Sequence, residues 1–219
     1  MEMKLVTDEE LFFKDSFMKN YPRFKYYFKL RPNIFSDLVF NIAEISRCLI
    51  LESYTASITL TNHMLERLLK LALVEDELEV GPVTNPREEC HQRMYRYLRL
   101  NMDKTIDLCF EKKIISEVQK TKIKRYKTIL RNGFSHADLD LIFKEYPETY
   151  KVTYTETQDF TFNLKKDPRQ IYHLAKFAEN NAIEYFEFAV SLIYSIEKSL
   201  INKYPNSYNV INIKKRNSF

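Results

Sequence analysis

The reading of this chain turns on Ile129-Leu130-Arg131-Asn132-Gly133-Phe134-Ser135-His136-Ala137-Asp138. It holds one of only two glycines in 219 residues. In an unbroken α-helix, five residues of separation would point Arg131 and His136 about 140° apart. The two converge only if the helix stops between them. Gly133 is the expected stop, as a left-handed residue just past a helix end. Ser135 then caps a new helix, with Asp138 three residues on. His136 falls in the first turn of that new helix.

This placement has chemical consequences. A helix N-terminus disfavours imidazolium, which biases His136 toward its neutral, proton-accepting form. Free N–H groups there attract a phosphate. Arg131 can hold the same phosphate bidentately and oppose charge that develops in a transition state. Asn132 offers an amide to orient an oxygen. A neutral base beside a fixed phosphate suits proton removal from an RNA 2′-hydroxyl, whose oxygen then attacks phosphorus without a metal. The plainer alternative is a helix end with a basic residue, a glycine cap and a polar turn.

Outward from the turn, the helices come first. Ser116-Glu117-Val118-Gln119 fits a capping box, and the helix it opens runs to about Asn132 with Ile123, Tyr126, Ile129 and Leu130 as its core face. Lys112, Lys113, Lys120, Lys122, Lys124, Arg125, Lys127 and Arg131 stand against one acid, Glu117. Lys120, Lys124, Arg125 and Lys127 are the candidate RNA-binding residues. A solvated helix face is an equally good account of the run. Tyr126 lies within reach of the turn but reads more simply as core.

Upstream, Thr7 is the expected cap of a helix over residues 7–20, with Leu11, Phe12, Phe13 and Phe17 as its buried side. Pro22 and Pro32 bracket an aromatic, basic connector, Arg23 to Lys29. Its rings either stack on bases or pack on the domain, and packing is the preferred reading. Helices follow over 34–51 and 55–75, the second central, with Met64, Leu65, Leu68, Leu69 and Ala72 as a wide apolar face. A longer helix is expected over about 87–112. Downstream, period-two alternation over 149–165 predicts a β-hairpin insertion. Asp167-Pro168 opens a last helix that keeps 3–4 spacing from Ile171 to Leu200. The remaining histidines read blandly: His63 as a packed or capping residue, His173 as a surface residue.

Composition narrows the class. Apolar residues make up 45%, with Phe 16, Tyr 15, Trp 0 and Gly 2. That fills a large core but cannot supply the turns of a β-sandwich or the glycines of a nucleotide-binding loop. The net charge of +4 is mild. Cys48, Cys90 and Cys109 show neither a disulfide framework nor metal spacing, and Cys90-His91 lacks partners, so no metal or cofactor is expected. Met1-Glu2-Met3-Lys4 leads into an acidic helix start and not an apolar signal core. No apolar run reaches the ~18 residues of a membrane span. A cytoplasmic protein is the expectation.

Arg131-Asn132-Gly133-Phe134-Ser135-His136 resembles the Arg-x4-6-His signature of HEPN domains, including the polar residue after the arginine. Leu65-Glu66-Arg67-Leu68-Leu69-Lys70 is similar to that family's first core helix. The resemblance implies a mainly α, up-down helical bundle over 34–203, flanked by an N-terminal helical and aromatic extension (1–33) and a polar basic tail (204–219). The 149–165 hairpin is an insertion outside the family pattern. It further implies a metal-independent endoribonuclease, in a toxin–antitoxin or defence setting, with Arg131, Asn132 and His136 as catalytic residues. The implied partners are RNA, a second copy of the chain across a shared cleft, and an antitoxin protein. Two rival readings stand beside it. One is a non-catalytic module that holds RNA, a nucleotide or a protein; the other is a packing turn at a dimer seam.

Overall fold

The computed structural model describes residues 7–80, 95–97, 99–136, 149–155, 158–163 and 170–207. Among them the chain is mainly helical. The helices are α1 (Asp8–Phe24), α2 (Leu38–Ile50), α3 (Tyr54–Glu77), α4 (Met102–Glu111), α5 (Glu117–Tyr126), a short α6 (Gly133–His136) and α7 (Gln170–Lys203). A 3-10 turn over Lys25–Lys29 follows α1, and a π-helical turn over Lys127–Asn132 joins α5 to α6. Residues 149–155 and 158–163 pair antiparallel, with Thr149 opposite Asn163 and Thr155 opposite Gln158. No helix among the described residues is long and apolar enough to cross a membrane.

The core is built on α3 and α7. On α3, Ile58, Leu65, Leu68, Leu69 and Ala72 are fully buried, at helical spacing. On α7, Ala178, Ala182 and Ala189 alternate with Tyr185, Leu192, Ile196 and Leu200, all equally buried. Small residues in the contact set a short interaxial distance. Each large apolar side chain taken from water contributes about 1.5–3 kcal/mol, against the entropy of ordering it.

Polar contacts fix the directions. Asn62 meets Tyr185 and Asp76 meets Lys203, so α3 and α7 run parallel. Arg67 reaches Asp37 just before α2, and the tight turn at Leu51–Ser53 returns α2 antiparallel to α3. Gln119 reaches Ser195 while Lys122 reaches Glu184, which sets α5 antiparallel to α7. Directions therefore alternate along α2, α3, α5 and α7, and α4 covers α3 and α5.

Local chemistry explains most boundaries. Thr7 and Glu10 form a capping box at α1, and Ser116 and Gln119 form one at α5. The helix expected over 87–112 is broken within its described part. A turn at residues 99–100 precedes Asn101, whose Oδ1 accepts from Lys104 N at 2.9 Å and starts α4 afresh. Residues 87–94, Asp167-Pro168 and the tail beyond 207 lie outside the described residues. Pro22 does not end the first helix; in the last turn it forfeits one bond, and α1 continues to Phe24.

The aromatic connector packs for the most part. Phe24 and Leu30 are buried in the core, Tyr27 lies against Phe186 at 4.8 Å, and Tyr26 is exposed. Buried Glu197 on α7 accepts from the backbone N–H groups of Ile34 (2.6 Å) and Phe35 (3.1 Å), which pins the connector before α2. The expected buried side of α1 is corrected. Leu11, Phe12, Phe13 and Phe17 are exposed; Ser16 and Phe24 are the buried positions. Residues Lys19 to Arg23 tie the helix down through Glu52, the Ile50 carbonyl and Glu187.

Candidate functional site: a braced π turn beside an interhelical cleft

Gly133 does not stop the helix. Its φ of −57° and ψ of −52° are right-handed helical, and the run continues from α5 through the π turn to His136. The left-handed cap expected there is absent, and Ser135 is helical and not a cap. Asp138 lies outside the described residues. No fresh helix N-terminus stands at His136, so the dipole bias expected of it has no source. The positions of Arg131 and His136 stay about 140° apart on one run if α-helical rotation holds between them.

What breaks the α-helical ladder is the π turn over Lys127–Asn132, immediately before Gly133. Such turns are rare and shift the phase of everything after them. Here the turn is braced from the core. Asn62 Nδ2 on α3 donates to the Leu130 carbonyl at 3.3 Å. The Tyr185 hydroxyl on α7 donates to Asn62 Oδ1 at 2.7 Å. Both residues are buried. Burial pushes the Tyr185 phenol far above its usual range, so it is a neutral donor at every ordinary pH. This chain links the two central helices to the residue that precedes Arg131.

Arg131 and Asn132 come together directly. The guanidinium Nη1 donates to Asn132 Oδ1 at 3.1 Å, and both residues are half-buried. The contact orients the guanidinium fork, whose planar donors match a phosphate. Phe134 then stacks on Phe177 of α7 at 5.8 Å and anchors the end of the run.

The basic stripe divides in two. Lys120 and Lys124 share Asp107 at 3.1 and 2.7 Å, and Lys127 meets Asp103 at 2.6 Å. These three candidate RNA contacts face acids of α4. Arg125 faces the other way, with Lys122, into a cleft of about 540 Å³ between α5 and α7. Val118, Ile129 and Leu130 give the cleft apolar walls, and Glu117 and Glu184 are its acids. The Tyr126 hydroxyl donates to Glu184 at 2.9 Å and Lys122 lies 3.3 Å away; the first contact and then the second hold this carboxyl below its usual range. Tyr126 packs its ring on Tyr185 (4.7 Å) and Phe188 (5.1 Å), so it joins the cleft to the brace.

Sequence reasoning missed the roles of Asn62, Tyr185 and Glu184, and it placed Lys122 in the basic run without making it a candidate. Asn62 had a signal, being an amide within an apolar helical face. Glu184 and Tyr185 had none, because their partners lie about 60 and 120 residues away. His63 is exposed, not packed; its neighbour Asn62 is the buried polar residue. Comparison with family models, with curated proteins and with solved structures gives no match to this chain.

Proposed function

We propose that the chain is a HEPN-type helical domain that cleaves RNA without a metal, its site completed by a second copy. The supporting observation is the Tyr185–Asn62–Leu130 chain beneath Arg131. A buried amide, itself held by a buried tyrosine hydroxyl, is committed to one carbonyl of the π turn, which supports a fixed backbone beneath the Arg131–Asn132 pair. Arg131 would hold the scissile phosphate and Asn132 would keep the guanidinium in place. His136 would take the 2′-hydroxyl proton. The 2′-oxygen then forms its bond to phosphorus as the bond to the 5′-oxygen breaks, and a proton returned to that oxygen releases it. A 2′,3′-cyclic phosphate is the product.

With α-helical rotation between them, the positions of Arg131 and His136 in one copy would stand about 140° apart, and a facing copy would supply the missing member. Paired lysines along α5 would exchange Asp103 and Asp107 for phosphate, since exposed pairs are weak. An antitoxin partner and a defence setting rest on the family resemblance alone.

The test is cleavage of a labelled RNA in EDTA by wild type, Arg131→Ala, His136→Ala and an equimolar mixture of the two variants. The expected losses are roughly 100-fold or more for each variant. Mixing restores about a quarter of wild-type activity if each site draws on both copies, because half the dimers then hold one intact site of two. Equal cleavage by wild type and His136→Ala would sink the assignment. Binding of RNA without cleavage would favour the second reading, a non-catalytic module that uses the α5–α7 cleft; the unbroken helix at Gly133 is the observation on that side.

A further inference from the structure

The described part of α1 leaves a dense group of large apolar side chains in water. Leu11, Phe12, Phe13, Phe17, Met18 and Tyr21 are each between 40% and 67% exposed. Phe17 and Tyr21 stack at 4.8 Å, and Phe12 meets Phe13 edge-on at 5.8 Å. At about 100° per residue, Phe13, Phe17 and Tyr21 form one stripe, which Met18 and Leu11 widen. Ser16 and Asn20 lie on the side toward the body. Phe12 falls outside this face, on the far side of Ser16; the three half-exposed aromatics and two aliphatic chains of the face leave on the order of 500 Å² of apolar surface, within the range of the largest patch on a monomer.

We infer that this face is the seat of a second copy of the chain, bound through α1 in antiparallel, two-fold fashion. Charge selects the occupant. The helix begins with Asp8, Glu9 and Glu10, and at its other end Arg23 is held by Glu187 of the body while Lys25 follows as the basic residue beyond it. An antiparallel copy sets each acidic start beside a basic end and opposes the two helix dipoles. A parallel copy would set like beside like. A two-fold axis near Phe17 places Phe13 of one copy beside Tyr21 of the other, and Glu9 of one near Lys25 of the other.

Other occupants fit less well. Helix α1 with the Lys25 that follows it carries four acids (Asp8, Glu9, Glu10, Asp15) against four bases (Lys14, Lys19, Arg23, Lys25). A helix that lies on a membrane or tracks RNA phosphates is rich in lysine and arginine, and this one is charge-balanced. Area also agrees. Two such faces bury roughly 1,000 Å² together, the size of a weak, reversible interface. A reversible dimer with a dissociation constant in the micromolar range is therefore expected. The inference stands on α1 alone and does not require RNA cleavage.

The experiment is sedimentation equilibrium on the full chain from about 1 to 100 μM. Wild type should dimerise within that range. Phe13→Glu with Phe17→Glu, both at exposed positions, should weaken the dimer by 100-fold or more and leave the circular dichroism unchanged. Two charge-reversed chains add a check that misfolding cannot mimic. One carries Asp8→Lys and Glu9→Lys; the other carries Lys25→Glu alone, which spares the Arg23–Glu187 pair. Each alone should self-associate at least tenfold more weakly than wild type, and their mixture should recover the heterodimer. A wild type that stays monomeric at 100 μM would overturn the inference. So would a dimer indifferent to Phe13→Glu and Phe17→Glu, which would place the interface elsewhere and leave the cleavage proposal untouched. Binding of monomeric wild type to phosphatidylcholine–phosphatidylserine vesicles, lost in the Phe13/Phe17 variant, would replace the second copy with a membrane.

Discussion

Helices α3 and α7 are tied together twice, by different chemistry at each tie. Toward their C-terminal ends the tie is ionic. The Asp76 carboxylate is buried and accepts from Lys203 Nζ at 2.6 Å, Lys112 Nζ at 3.0 Å and the Tyr204 hydroxyl at 3.2 Å. Nearer the middle it is neutral: Tyr185 to Asn62 to the Leu130 carbonyl. The ionic tie closes three helix ends and bears on stability. The neutral tie ends on a π turn and bears on the shape of the candidate site. A charge can staple elements from several directions, but desolvation makes it costly to leave unpaired. A neutral amide reads one carbonyl and fixes one backbone geometry.

The largest effect expected from this contrast is at Asp76. Burial raises its pKa, but the bonds from Lys203 and Lys112 outweigh that and hold the carboxyl below its usual range. Asp76→Ala leaves two ammonium groups and a phenol without their shared acceptor. The expected cost is about 3–5 kcal/mol, read by urea unfolding at pH 7. A cost under about 1 kcal/mol would mean the lysines reach solvent freely and the tie is only a surface pair.

The next effect is a pH dependence at the same end. Glu75, beside Asp76, is pushed up to about 7 by burial. Between its unfolded value near 4.5 and 7, the folded chain keeps a proton that the unfolded chain has released. Stability therefore falls as pH rises through that window and is flat above it. Asp76 acts in the opposite sense, since its stabilisation is complete above its unfolded value of 3.8 and is lost as pH falls through its lower folded value. Glu75→Gln should flatten the fall between pH 5 and 8 and leave stability at pH 4.5 nearly unchanged. The difference at pH 8 is expected to be about 2–3 kcal/mol. An identical pH profile in the variant would show that Glu75 is solvated in the folded state.

The two ties also separate what the sequence revealed from what it concealed. Apolar spacing located α2, α3 and α7, because one-sided burial needs only a 3.6-residue period. Capping boxes at Thr7 and Ser116 were legible because their partners lie three residues away. Leu11, Phe12, Phe13 and Phe17 misled for the same reason: periodicity marks an apolar face without saying what covers it. Gly133 misled differently. Glycine permits a left-handed stop but does not compel one, and a carbonyl bonded from Asn62, 68 positions earlier, belongs to a helix that continues. Arg131 and Asn132 were identified as neighbours; the brace beneath them depends on residues far apart in the chain. The lysines of α5 and the π turn were visible as charge, but Asp103 and Asp107, which take up Lys120, Lys124 and Lys127, lie one helix earlier.

The smallest effect on stability is the most informative about the site. Asn62→Ala leaves the Tyr185 hydroxyl and the Leu130 carbonyl buried without each other's intermediary, at an expected cost of about 2 kcal/mol. Asn62→Leu combined with Tyr185→Phe removes both polar members and fills the space, and should recover most of that loss. If the amide merely satisfies a core hydroxyl, the double variant should regain RNA cleavage or binding along with stability. If it holds the π turn, the double variant should be stable and still impaired, because the backbone before Arg131 is free to relax to α-helical phase. A restored stability with activity at least tenfold below wild type would separate the two roles. Equal recovery of both would reduce the neutral tie to packing and remove the support it gives to the Arg131–Asn132 site.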